Sequence, residues 1–107
     1  MSAKIITIDF ANIEGPVYTG RDRGERLRSD LHLDQLDAAG DIIEVRIPEE
    51  TYTISSSFFL GLFGPSVVNA GSKERFYMRY RFHSPSFLTD IIDRYVSRAL
   101  QTRNLFV

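Results

Sequence analysis

The sequence contains no cysteine and no tryptophan, and only two histidines occur among its 107 residues. Without cysteine the chain can form no disulfide, no thiolate metal site and no cysteine nucleophile. The histidines, His32 and His83, lie far apart in the sequence, and neither stands at a metal-ligand spacing from other candidate ligands. These absences exclude thiol chemistry, and no motif predicts a metal centre or a bound cofactor.

Long apolar runs and a strong charge imbalance are also missing. No run approaches the ~18 consecutive apolar residues that predict a transmembrane helix, and the segment after Met1 is too short for a signal peptide. The net charge of −1 argues against a surface built for nucleic acid or anionic membrane. An apolar content of 43% is typical of a globular domain. We therefore expect a single cytoplasmic domain over residues 1–107.

Four segments carry the patterns of β-strands. Residues 4–10 and 74–82 alternate in polarity, whereas residues 41–47 form a nearly continuous apolar run that Pro48 closes. A short strand is indicated at residues 17–18, inside a loop rich in glycine. A nearly continuous apolar strand is typical of a sheet that helices cover.

Three segments carry helical patterns. The first runs from Asp22, a candidate cap, to about residue 39 and ends at Gly40. The second spans residues 57–70 and contains Gly64-Pro65, which predicts a kink or a break because proline removes one helical hydrogen bond. The third begins at Ser84-Pro85 and repeats pairs of apolar residues every four positions.

The order of these elements indicates the fold class. Strands that are separated by helices predict parallel pairing with right-handed crossovers. We expect an α/β fold with a sheet of about four strands and with the helices packed mainly on one side.

Three consecutive serines, Ser55 to Ser57, separate a β-rich run at residues 51–54 from an apolar run that begins at Phe58. Serine is a favoured N-cap because its hydroxyl accepts a hydrogen bond from an otherwise unpaired helix N–H. The start of a helix also favours anions. Two interpretations stay open here: a capped and solvated turn, or a regulated site that contacts a partner.

This order of elements, with serines opening the second helix, resembles the STAS domain of sulfate transporters and anti-sigma-factor antagonists. A bacterial STAS-like family of unknown function is closer still. Its members carry Ser-Gly-Glu-x-Phe-Arg at helix one, and Ser-Ser-Phe-Leu followed by Phe-Gly in helix two. Residues 23–28, Arg-Gly-Glu-Arg-Leu-Arg, match the first pattern, and residues 56–59 with 63–64 match the second. The resemblance covers roughly residues 4–70.

In anti-sigma-factor antagonists, the serine at this position is phosphorylated by a partner with a histidine-kinase-type ATPase fold, and phosphorylation breaks the complex. The resemblance thus implies a non-catalytic signalling domain with such a partner, and Ser56, then Ser57, as candidate phosphoacceptors. We expect no membrane partner, because no apolar run is long enough to span a bilayer. The oligomeric state stays open, with a dimer as one option. The partner contacts that the resemblance implies are Gly24, Glu25, Arg28, Ser55 and Phe58.

A second hypothesis places an anion site on the predicted strand at residues 74–82. Arg75, Arg79 and Arg81 would share its polar face and bind a phosphate-bearing ligand or nucleic acid, with Tyr77 as a stacking group. The alternative is a solvated face, whose arginines protect an exposed edge from aggregation. No arrangement of serine, histidine and carboxylate singles out a catalytic site, so we expect no enzyme activity.

Overall fold

The computed structural model describes residues 4–105, and the side chains of residues 4–101. Within this range the chain forms a mixed α/β fold, which confirms the predicted class. The strands are β1 (Ile5–Asp9), β2 (Val17–Tyr18), β3 (Ile42–Arg46), β4 (Thr53–Ile54) and β5 (Tyr80–His83). The helices are α1 (Arg21–Asp30), α2 (Leu33–Ala39), α3 (Ser56–Ala70), α4 (Lys73–Arg79) and α5 (Ser86–Leu105), with a 3₁₀ turn at Phe10–Asn12.

Every strand pair in the described range is parallel, as the sequence predicts. Strand β3 lies between β1 and β5 in a three-stranded sheet, and β2 pairs with β4 in a separate two-stranded sheet. The main sheet thus has three strands and not about four, because the short β2 is held by the segment before α3. Tyr52 N donates to Pro16 O, and Ser55 N donates to Tyr18 O.

The register of the main sheet separates a covered face from an open one. Ile43 and Val45 of β3 are fully buried and lie opposite Tyr80 and Phe82 of β5. They belong to the hydrophobic core that the helices complete. On the other face Ile5 is exposed. The helices therefore pack on one side of the sheet, as expected.

The single helix predicted over residues 22–39 is in fact two helices. His32 adopts the left-handed conformation (φ 57°) between α1 and α2, and this turn brings Leu33 into the core. The first of the two helices follows Gly20, and no side chain caps it, so the predicted cap at Asp22 was wrong. Gly40 ends α2 in the left-handed conformation, as predicted.

Helix α3 continues without a break through Pro65, where a kink or a break was expected. The ring of Pro65 lies on the exposed side, whereas Phe63 and Val67 on either side of it are buried. One internal proline costs a helix about 3 kcal/mol. Burial of the apolar side chains in the flanking turns outweighs this cost.

Residues 74–79 are helical, so the strand predicted over 74–82 was wrong for its first two thirds. Ser72 caps α4, and its hydroxyl accepts a hydrogen bond from Arg75 N at 3.2 Å. Phe76 is buried and stacks on Tyr80 with ring centroids 4.8 Å apart, whereas Met78 is exposed. The spacing of four residues between the two stacked rings follows the helical period, and strand geometry begins only with β5.

Helix α5 confirms the third predicted helix, although it begins at Ser86, two residues after the expected cap. Its buried side is formed by Leu88, Ile92, Val96 and Ala99. Of the predicted stripe, only Phe87 points to solvent, with 53% of its surface exposed. No helix in residues 4–105 combines the length and the apolar character that crossing a bilayer requires.

Candidate functional site

The three serines take different positions at the start of α3. Ser55 is the N-cap: its hydroxyl accepts a hydrogen bond from Phe58 N at 3.1 Å. Ser56 is the first helical residue and is half-buried, and Ser57 is exposed. Neither of their hydroxyls has a hydrogen-bond partner among the described residues. The cap therefore occupies one serine and leaves the two candidate phosphoacceptors chemically free.

Most of the implied partner contacts lie in the interior of the domain. Gly24 on α1 is buried against α3, where a Cβ would collide with the backbone of Phe58 and Leu62. The side chain of Phe58 is in the core, and Arg28 is also buried. Only Glu25 is exposed. The matched motif in α1 thus forms the contact between two helices, and Gly24, Arg28 and Phe58 serve packing.

Arg28 and Asp37 are the centre of a buried polar network that joins α1, α2, α3 and β5. The Arg28 guanidinium donates to Leu62 O at 2.9 Å and to Ser66 Oγ at 2.8 Å, and it pairs with Asp37 Oδ2 at 3.3 Å. Asp37 also accepts hydrogen bonds from Ser66 at 2.5 Å and Tyr80 at 2.6 Å. Burial, and next the bond to Asp37, raise the pKa of Tyr80 well above its ordinary value of 10.0. This network holds the fold together and offers no open binding position.

The three arginines of the second hypothesis do not share a face. Arg75 and Arg79 belong to α4 and Arg81 to β5, so the common strand face was wrong. Arg79 donates to Asp41 O at 2.7 Å and pairs with Asp37 at 3.1 Å. Its guanidinium is therefore committed to the fold. Arg75 and Arg81 are exposed and lie on different elements.

Two exposed apolar side chains lie in or next to the two-stranded sheet that leads into α3. Tyr52 is 77% exposed and Val17 is 44% exposed. Val17 pairs with Thr53 in the two-stranded sheet that leads into α3. We call Val17, Tyr52, Ser56 and Ser57 the docking surface. It combines apolar contact area with two accessible hydroxyls.

Arg23 binds the backbone at Val17, next to this surface, and sequence reasoning missed this role. Its guanidinium lies 5.4 Å from the ring centroid of Tyr18 and 5.7 Å from that of Phe58. It also donates to the carbonyl oxygens of Val17, at 3.0 Å, and Glu14. Burial raises the pKa of Tyr18, and the charge of Arg23 opposes that shift. A positive charge thus lies beside the first turn of α3.

Two cavities open beside the carboxyl ends of the main strands, and a third lies between α1 and α3. The first has a volume of about 630 Å³ and is lined by Asp9, Arg46, Glu49 and His83 among others. The second, of about 370 Å³, is lined by Phe10, Tyr18, Pro48, Glu50 and Thr51 among others. The third, of about 570 Å³, is a mostly apolar groove over Leu60, Gly61, Gly64 and Val68.

Among residues 4–105, no group of three or more histidine, aspartate or glutamate side chains is placed to hold a metal ion. No protein-family model, curated protein or solved structure shows significant similarity to this chain. The docking surface and the cavities are therefore the features of this domain that bear on its function.

Proposed function

We propose that this domain is a non-catalytic interaction module of STAS-like type, which binds a protein partner through the docking surface. The exposure of Tyr52 is the observation that supports this most directly. The exposed Tyr52 ring and the exposed Val17 side chain provide apolar contact area that the fold itself does not use. Tyrosine is enriched among the residues that dominate binding energy at protein interfaces.

The accessible serines supply a means of regulation. A phosphate on Ser56 would add a charge of about −1.5 to −2 and three acceptor oxygens. At the first residue of α3 it would face unpaired backbone N–H groups and the positive end of the helix dipole. The guanidinium of Arg23 lies 5.7 Å from the ring centroid of Phe58, the residue two positions after Ser56. Phosphorylation would therefore leave the domain folded and act on the docked partner through bulk and charge.

The resemblance to anti-sigma-factor antagonists supports a histidine-kinase-type ATPase as that partner, in a cytoplasmic bacterial signalling pathway. Such a partner would both bind the docking surface and phosphorylate Ser56. The hydroxyls of Ser56 and Ser57 are suited to this role because no contact within the described fold occupies them.

Docking can be tested by co-purification with a histidine-kinase-type ATPase encoded beside this chain. Tyr52→Ala should strongly reduce the amount of partner retained. Met78→Ala, which removes an exposed apolar side chain from α4, is the matched control and should retain the partner fully. If both variants bind as the unchanged protein does, the docking surface is not the contact.

The switch needs a separate experiment. Ser56→Asp should weaken partner binding, whereas Ser56→Ala should keep it. Ser86→Asp is the matched control, because Ser86 is the first residue of α5 as Ser56 is of α3. Equal binding by both Ser56 variants would remove the switch and leave docking intact. A loss of binding in the Ser86 variant as well would point to a general charge effect.

A further inference from the structure

The two cavities at the carboxyl ends of the main strands form one cleft. They share Ala11, Pro48 and Glu50 in their walls. In open α/β sheets, ligands bind in the crevice outside the carboxyl ends of the strands. We refer to the 630 Å³ and 370 Å³ parts as the outer and the inner compartment.

Three of the charged groups of the outer compartment already have partners. Arg46 and His83 both pair with Glu44, at 3.6 Å and 3.0 Å. Asp9 Oδ1 accepts a hydrogen bond from Ala11 N at 2.9 Å. Glu49 and Glu50 differ from them, because their exposed carboxylates have no ion-pair or hydrogen-bond partner among the described residues. Of these two, Glu50 also lines the inner compartment, and Glu49 does not.

Thr51 lines the inner compartment, and its hydroxyl is buried and unpaired. The residue is 4% exposed, and its Oγ1 is the buried side-chain atom that has no hydrogen-bond partner within the described range. Buried polar groups are nearly always paired, and leaving one unpaired lowers stability. Because rotation about χ1 exchanges the hydroxyl with the methyl group, a bound group can select the rotamer that presents oxygen to the compartment.

The remaining walls of the inner compartment are apolar. Phe10 and Tyr18 are buried and meet edge to face with ring centroids 5.0 Å apart. The hydroxyl of Tyr18 is occupied, since it donates to Phe10 O at 3.0 Å. Pro16 and Pro48 complete the walls. Glu50 and Thr51, adjacent in sequence, are therefore the side chains that can still bind a polar group here.

We propose that the inner compartment binds a small primary ammonium compound with an aromatic or similarly compact apolar body. The ammonium group would donate to the Glu50 carboxylate and to Thr51 Oγ1. The apolar body would lie against Pro16 and Pro48. A volume of about 370 Å³ falls within the range of small-molecule pockets. This inference does not depend on the docking function proposed above.

Benzylamine, benzyl alcohol and benzoate form a matched series of probes, because they share a ring and differ in charge. Each is titrated into the whole chain at millimolar concentrations while backbone amide NMR signals are followed. Benzylamine should shift the signals of Ala11, Glu50 and Thr51, benzyl alcohol should bind more weakly, and benzoate should leave them unchanged. Equal shifts from all three probes would overturn the proposed charge preference. No shift with benzylamine would overturn the site and leave water as the partner of Thr51.

Two pairs of variants test the two polar contacts. Glu50→Gln should weaken benzylamine binding by about tenfold or more, because a hydrogen bond to a charged group is lost. Glu49→Gln, which alters only the outer compartment, is its control and should bind normally. Thr51→Val should weaken binding while Thr51→Ser preserves it. Unchanged affinity in both Glu50→Gln and Thr51→Val would refute the proposal, and a misfolded Thr51→Val would leave the surface variant Glu50→Gln to decide.

Discussion

Gly24 on α1 and Gly61 on α3 face each other where the two helices cross, and their backbones are in contact. A Cβ on Gly24 would lie 3.2 Å from the carbonyl carbon of Gly61, and a Cβ on Gly61 would lie 2.5 Å from Arg21 O. The absence of both side chains sets the distance between the helices. Gly24 also belongs to the motif that carries the STAS-like resemblance, so this motif has a packing role in the fold.

Gly61→Ala should therefore lower the free energy of unfolding by about 1–3 kcal/mol or more, because the added methyl group collides with backbone and not with a flexible side chain. Gly64→Ala, one turn later, is the control. A Cβ there meets only Leu60, at 3.8 Å, so the variant should be neutral or gain up to about 1 kcal/mol from helix propensity. Denaturant unfolding measures both. Equal effects would show that the helices can separate.

Asp37 and Asp34 both pair with Arg28, yet their replacement should differ in cost. The side chain of Asp37 is 5% exposed, and that of Asp34 is 82% exposed. Asp37→Ala leaves the buried Arg28 without its buried carboxylate and should cost about 3–5 kcal/mol. Asp34→Ala should cost about 0–1 kcal/mol, as for other surface pairs. If chemical denaturation gave the reverse order, the exposed Asp34, and not the buried Asp37, would supply most of the stability of the network.

The serines at the start of α3 should separate in thermal melts. Ser55→Ala removes the observed cap and should cost about 1 kcal/mol. Ser56→Ala should stay within about 0.5 kcal/mol, because this hydroxyl makes no contact within the described fold. A large loss of stability in the Ser56 variant would mean that Ser56, and not Ser55, caps α3. The Ser56 hydroxyl would then be engaged in the fold and would not be free for phosphorylation.

Helix α5 offers a fourth contrast, between Ile92 and Phe87. Ile92 is buried in the core, whereas Phe87 is 53% exposed. Ile92→Ala should lower the free energy of unfolding by about 2–5 kcal/mol through lost burial and a residual cavity. Phe87→Ala should change it by less than about 1 kcal/mol. Equilibrium urea titrations of both variants decide whether this face of α5 is a main part of the core.

The Lys73–Asp93 pair should make stability depend on acid. Hydrogen bonds from Lys73 and then Tyr77 hold the pKa of Asp93 below its ordinary value of 3.8. The unfolded chain therefore takes up this proton first as pH falls. The contribution is complete above pH 3.8 and is lost as pH drops through the lower pKa of the folded state.

Asp93→Asn should remove that part of the acid dependence when unfolding is followed from neutral pH downward. Asp90→Asn is the control, because Asp90 is exposed on the same helix and makes no ion pair among the described residues. If stability fell with acid as steeply in the Asp93 variant as in the unchanged protein, or if both variants changed equally, Asp93 would not be the source of the acid dependence.

Local patterns in the sequence predicted most elements. They failed where the same residues fit both the strand period and the helical period. Residues 74–82 alternate in polarity, but Phe76 and Tyr80 also fit a helical spacing, and the Ser72 cap favoured the helix. The break at His32 had no glycine or proline to signal it. It forms because a turn there buries Leu33, which is a tertiary effect.

The candidate site shows the same limit. The serines at the start of α3 were found from sequence because a cap is a local signal. Arg28 was also found, but its burial depends on Ser66 and Asp37, which only the fold brings near. The inner compartment, with Thr51 in its wall, joins segments that no short-range pattern connects. Helix caps can be read locally, whereas cavities and buried networks cannot.

Parallel pairing of the strands also has a consequence for how the chain reaches this structure. Each pair joins segments that are separated by at least one helix or a long connection, so no hairpin can form early as a local nucleus. The apolar strand β3 lacks one neighbour until Tyr80–His83 has left the ribosome. During synthesis its edge is open to pairing with other chains. The β1–β3 pairing and the contact between α1 and α3 at the two glycines can both form before β5 is available.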